Sequence, residues 1–190
     1  MFEERFPLGV ATPAASLARV DEARLRQIVD AHFDPLWRFL RRLGIVEADV
    51  DDAIQEIILV LARKLSSVEL GSERSFVFST AFRVASDMRR RTKRRREVDG
   101  ELLADLPSAA SDPETAAHAQ RLARLFSQVL SQLSLDQRAV FVLYELEEFT
   151  MAEIAEALGL PMGTVASRLR RGRETFERLA NEVLSDGGKP

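Results

Sequence analysis

The chain predicts an all-α fold, two small helical domains joined by an acidic flexible linker, with the second domain closing on a helix-turn-helix. Three observations carry that expectation. Apolar residues recur at helical spacing in separate stretches, capping signatures mark where helices open, and residues 97–120 interrupt the periodicity with acidic residues, Gly, Pro and Ser.

The first twenty residues lack a basic start followed by a long apolar run, so no signal peptide is expected and residues 1–20 are read as a mobile segment. A first domain then spans 21–96. Its first helix begins near Asp21 and carries Leu25, Ile28, Val29, Phe33, Leu36, Trp37, Phe39 and Leu40, with Pro35 as a point of bending and Trp37 in the core. A second helix over 50–65 places Ile54, Ile57, Ile58 and Leu61 on one side and Asp51, Asp52, Gln55 and Glu56 on the other, leaving an acidic face for water or a partner. A basic focus follows, residues 89–96 being cationic at all but one position, with Phe76, Phe78 and Phe82 just before it. Positive charge beside aromatics suits nucleic acid. Each phosphate contact on duplex DNA costs about 0.9 log unit of affinity per log unit of salt, and exposed aromatic faces stack on unpaired bases. Phe78 and Phe82, four apart, are expected in the core.

Residues 97–120 carry Glu97, Asp99, Glu101, Asp105, Asp112 and Glu114 with no Lys or Arg before Arg121, and Gly100, Pro107 and Pro113 break helical periodicity. That segment is expected to be mostly extended, with helix resuming near Glu114. In the second domain, 121–184, Ser134 and Gln137 spell a capping box that opens a helix with Val140, Phe141, Leu143 and Tyr144. Thr150 and Glu153 spell another, and Ile154, Ala155 and Leu158 form the stripe of a short helix closed by Gly159. Pro161 suits the start of a final helix whose inward face is Val165, Leu169 and Phe176. Thr164, Ser167, Arg168, Arg171 and Arg170 are left facing outward, a set of short polar and bidentate side chains suited to phosphates and guanine in a major groove. Residues 185–190 form a tail.

With 190 residues, 46% of them hydrophobic and 30% charged, the chain has the composition of a soluble globular protein. Its formal net charge of −3 conceals alternating basic and acidic blocks. There is no cysteine, so disulfides and thiolate zinc sites are excluded. No stretch is long enough to span a bilayer, so membrane insertion is not expected and a cytoplasmic location is. Catalysis is not expected either. His32 and His118 are isolated, Tyr144 is the sole tyrosine and lies on a core face, and no cofactor or metal site is expected.

These residues resemble bacterial sigma factors of the two-domain, extracytoplasmic-function group, over 21–184. The string Leu133-Ser-Leu-Asp-Gln-Arg138, then Glu153-Ile-Ala155 and Gly163-Thr-Val-Ala-Ser-Arg-Leu-Arg-Arg-Gly-Arg173, looks like the family's −35-binding region 4 domain. Asp52-Ala-Ile-Gln55-Glu56 looks like the helix that docks on the clamp of the polymerase's largest subunit, and residues 76–96 look like the −10-melting helix of region 2. The resemblance implies a dissociable subunit with core RNA polymerase and promoter DNA, duplex and melted, as partners, and an anti-sigma factor as a further one. Asp51, Asp52, Gln55 and Glu56 would contact polymerase. Phe76, Arg83, Asp87, Arg89, Arg90 and Arg91 would serve the −10 element, and Thr164, Ser167, Arg168, Arg170, Arg171 and Arg173 the −35 element. Within the family pattern, Ile58 and Ala62 stand where Phe and Trp are usual, Phe76 replaces a common Trp, Arg83 a usual Asn, and Gly172 a usual Ala. The last of these costs about 0.8–1 kcal/mol of helix propensity. A stand-alone helix-turn-helix regulator is the competing expectation, and a recombinase or transposase the enzymatic one.

Overall fold

In the computed structural model the backbone is described for residues 13–99 and 113–186, and the side chains for 21–94 and 123–182. Among the described residues seven α-helices run in order: α1 (Pro13–Arg42), α2 (Glu47–Lys64), α3 (Glu73–Asp99), α4 (Pro113–Gln132), α5 (Leu135–Glu145), α6 (Met151–Leu158) and α7 (Met162–Asp186). One 3-10 turn, Leu65–Ser67, follows α2. No strand occurs among the described residues.

α1, α2 and α3 pack around Phe39, Leu40, Leu43, Ile57, Leu61 and Phe78, all essentially without solvent contact. α1 starts at Pro13, upstream of the expected Asp21, and continues through Pro35 as one helix. The part of the N-terminal segment that is described is therefore helical, while the expectation for residues 1–12 lies outside the described residues. Trp37 is partly buried against the core, with the Arg41 guanidinium 5.7 Å from its ring centre. α2 begins at Glu47 rather than Val50, with Glu47 and Asp49 in a first turn where the helix dipole favours acids.

The span expected to be extended is shorter than the composition suggested. α3 continues to Asp99 and α4 opens at Pro113, so acidic residues at both edges are absorbed into helices, and the expectation for 100–112 lies outside the described residues. α5, α6 and α7 close on Leu143, Ile154, Val165 and Leu169, with Phe176 stacked on Phe141 at 5.0 Å and edge-on to Phe126. Both expected capping boxes form: each N-cap hydroxyl accepts from the third backbone N–H, and each third side chain accepts from the N-cap backbone. Gly159 ends α6 at φ 63°, the left-handed conformation that glycine adopts without penalty. Pro161 immediately precedes α7, its carbonyl accepting from the Thr164 and Val165 amides.

The two helical groups do not stand apart. α6 packs across α3 and α5 touches α1, so one apolar cluster runs unbroken from Phe39 through Phe78 and Phe149 to Leu143.

Candidate nucleic-acid interface

The residues expected to touch DNA lie on two helices, and those expected to touch a protein on a third. On α7, Val165 and Leu169 are buried, so the opposite side carries Arg170, Arg171 and Arg173 exposed and Thr164, Ser167 and Arg168 half-buried. The Ser167 hydroxyl donates to the Thr164 carbonyl at 3.0 Å. The arginines are not equivalent. Arg168 meets Asp136 of α5 at 2.8 Å, Arg170 meets Glu174 one turn on at 2.6 Å, and Arg173 donates to Glu145 at 2.5 Å with Tyr144 beneath it. Arg171 has no ion-pair partner among the described residues. Exposed pairs of this kind are worth at most about 1 kcal/mol, so a DNA phosphate can displace the carboxylates cheaply.

Two of those carboxylates belong to α5. Asp136 in its first turn pairs with Arg168 and Glu145 in its last pairs with Arg173, so α5 flanks the α7 face with carboxylates. The Glu145 hydrogen bond raises the Arg173 pKa further above its ordinary value. Glu153 is held below the usual carboxylate range by accepting from the Thr150 amide and hydroxyl, so the box that opens α6 is ionised at neutral pH.

On α3, Arg83, Asp87, Arg90 and Arg91 are exposed, and Arg90 lies 3.9 Å from Asp87. Arg89 turns inward and donates to the Leu43 carbonyl at 2.8 Å, covering the end of α1. Of the six α3 residues expected at DNA, it is the one with a guanidinium nitrogen, Nη1, committed to the fold. Phe78 is fully buried and Phe82 partly so, as expected. Phe76 is half-buried and lines a cleft of about 340 Å³ together with Ser75, Ser79, Glu69 and, from α6, Glu156 and Ala157. On α2, Asp51, Asp52, Gln55 and Glu56 are all exposed opposite the buried Ala53, Ile54, Ile57 and Leu61. None of the four is tied to another described side chain, so the acidic face is open.

Sequence reasoning gave no structural role to Arg74, Arg138 or Glu147, of which Arg74 and Glu147 bridge elements distant in the chain. Glu147 is 7% exposed and accepts from Arg42 at 2.7 Å, while Arg74 donates to its backbone carbonyl. Burial pushes the Glu147 carboxyl up, and Arg42, Arg38 and Arg74 pull it part of the way back. Arg138 is buried, donates to the Ser131 and Leu133 carbonyls at the end of α4, and is drawn down to about 10 by burial and secondarily by Arg89. No periodic signal marks Arg74 and Glu147, because their partners lie tens of positions away.

No group of His, Asp or Glu among the described residues could hold a metal ion, and no helix among them is long and apolar enough to cross a membrane.

Comparison with known proteins places these elements. Residues 28–95 match the family model "Sigma-70 region 2" and residues 123–176 match "Sigma-70, region 4". The chain is 31% identical over 157 residues to the ECF RNA polymerase sigma factor SigL of Mycobacterium tuberculosis, covering 80% of this chain and 86% of the relative. It is 30% identical over 149 residues to the ECF RNA polymerase sigma factor SigE of Mycolicibacterium smegmatis, covering 78% of this chain and 58% of that longer relative. Among solved structures, the sigma factor RpoE in complex with the anti-sigma factor NepR from Bartonella quintana is similar in fold, with a TM-score of 0.67 at 24% identity over 82% of this chain and 96% of that one.

Proposed function

This chain belongs to the extracytoplasmic-function group of sigma-70 RNA polymerase sigma factors, and from that premise we propose how its exposed faces divide the work. It is a sigma factor that directs promoter recognition and transcription initiation, a regulatory rather than a catalytic role. Residues 21–96 act as the region 2 domain and 121–184 as the region 4 domain. In the first, Asp51, Asp52, Gln55 and Glu56 dock on core polymerase, and Phe76, Arg83, Asp87, Arg89, Arg90 and Arg91 engage the −10 element as it melts, Arg89 through the guanidinium nitrogens other than the Nη1 that donates to Leu43. In the second, Thr164, Ser167, Arg168, Arg170, Arg171 and Arg173 engage the −35 duplex. The protein works in the cytoplasm, where polymerase is, and an anti-sigma factor of the kind bound by its structural neighbour is a fitting regulator.

The observation that carries this division is the segregation of charge by helix. An unpaired acidic face on α2 suits a protein partner, whereas the exposed basic faces of α3 and α7 suit a polyanion. On α7 the outward set is led by Arg171, whose guanidinium is available to pair bidentately with guanine without first losing a carboxylate. Arg171→Ala should lower promoter-specific initiation in a run-off assay by about tenfold or more, the range expected for one bidentate base contact, while leaving affinity for core polymerase unchanged. Equal losses in both assays would show that the residue serves assembly or folding instead.

A further inference from the structure

The α7 face is edged by two carboxylates to which the division of roles gives no part, Asp136 and Glu145 of α5. Their place follows from how the two helices pack. Phe141 of α5 stacks on Phe176 of α7 at 5.0 Å, with the Gly172 backbone seated against Gln137 and Phe141. This seam brings the first turn of α5 to Arg168, where Asp136 pairs at 2.8 Å, and its last turn to Arg173, which donates to Glu145 at 2.5 Å. Both pairs join two helices, so packing fixes the carboxylates in space. Glu174, by contrast, pairs with Arg170 on the same helix.

Neither pair exhausts its arginine. A guanidinium carries several N–H donors in a rigid fork. Arg173 gives Glu145 its Nε, and Arg168 turns one Nη to Asp136. The Tyr144 ring centre, 5.1 Å from the Arg173 guanidinium carbon, holds that side chain from a second direction. We propose that Asp136 and Glu145 are positioning residues of the −35 interface: each keeps its ion pair while the arginine contacts the duplex, fixes the direction of the fork, and so raises the ratio of sequence-specific to sequence-independent DNA binding. This role rests on the assignment of α7 to the −35 element.

Magnitudes favour keeping the pairs over exchanging them. An exposed ion pair is worth at most about fivefold in an equilibrium constant. A phosphate contact on duplex DNA is worth about the same at roughly 0.15 M salt, given a slope of about 0.9 log unit per contact. An arginine that left its carboxylate for an arbitrary phosphate would therefore gain little. A base contact is worth about 5- to 150-fold, and one made with the pair intact keeps both contributions. The pair also orders a long side chain before DNA arrives, which removes from the specific complex an ordering cost of about two- to tenfold. Arg168, Arg170 and Arg173 are each matched by a carboxylate, so the face offers a random duplex little surplus charge beyond Arg171.

Two substrates test this role: a random-sequence duplex bound by the full chain, and a promoter library randomised over the −35 element bound by the full chain with core polymerase. In Asp136→Asn with Glu145→Gln the chain should bind the random duplex about tenfold more tightly, with a salt dependence steeper by up to about 0.9 log unit for each released arginine. The library preference, best sequence over pool average, should narrow by about tenfold. Each single variant should give about half of both changes on a logarithmic scale. Glu177→Gln with Glu182→Gln removes the same charge from the far half of α7, where both residues are exposed, and should leave the preference unchanged. An undiminished preference in the carboxylate variants would overturn the positioning role. So would equal narrowing by the remote pair, which would reduce the effect to net charge, or loss of binding to both substrates in each single variant, which would make the two residues structural. Arg171→Ala separates this role from its premise. If it narrows the preference and the carboxylate variants do not, the −35 assignment stands and the positioning role falls; if neither narrows it, the assignment falls and the role with it.

Discussion

His32 is half-buried on α1 beside Arg74 and Glu73 of α3, and it ties stability to pH. Burial, then the Arg74 charge, holds its imidazole below the ordinary histidine value of about 6.5, with Glu73 opposing. On acidification the unfolded chain therefore takes up this proton before the folded one does, and stability falls as the pH drops below that value. Denaturant titrations between pH 7 and pH 5 should show that decline, and His32→Gln should flatten it; an identical slope in the variant would remove His32 as the cause. Glu147 acts with the opposite sign. Its raised carboxyl gives the folded state the tighter proton, so its protonation on acidification favours the folded form.

At the scale of single elements, the α6–α7 unit was almost fully legible because its determinants are local. The Thr150–Glu153 box, the left-handed Gly159 and the placement of Pro161 each depend on residues within one turn. Thr150→Ala should cost about 1 kcal/mol in thermal or denaturant unfolding, the usual value of an N-cap. Gly172 is the local weak point of α7. It is buried against α5, yet an added Cβ would stand 3.6 Å from the Gln137 carbonyl and the Phe141 Cβ, an ordinary contact. Gly172→Ala should therefore recover helix propensity and raise the melting temperature, by roughly 2–4 °C for about 1 kcal/mol in a chain of this size. A lower melting temperature would mean the seam with α5 is tighter than the geometry indicates. The helix ends that run past the expectation, at Pro13 and Asp99, lie where propensity continues past the hydrophobic pattern, whereas α4 opens at Pro113, one residue from the expected Glu114. Arg89 shows the same limit at a site: its charge suggested DNA, and its hydrogen bond from one nitrogen to the Leu43 carbonyl at the end of α1 had no signal in the sequence.

For the molecule as a whole, the family and its two helical domains could be read from motif strings, whereas the contact between the domains could not. Glu147 lies 105 positions from Arg42 and 73 from Arg74, and no periodicity in one domain specifies a pocket in the other. What emerges is a chain whose formal charge of −3 says little about its partners, because acidic and basic faces are held on different helices. The central claim is that the open acidic face of α2 binds core RNA polymerase. It is tested most directly by titrating the dye-labelled full chain with purified bacterial core enzyme at moderate salt, following fluorescence anisotropy, with Asp52→Lys alongside. Asp52 is exposed and bears no structural contact among the described residues, so the variant should fold normally and lose saturable binding. Undiminished binding by Asp52→Lys would contradict the role of this face, and absence of binding by the unaltered chain, with duplex DNA affinity retained, would contradict the account as a whole.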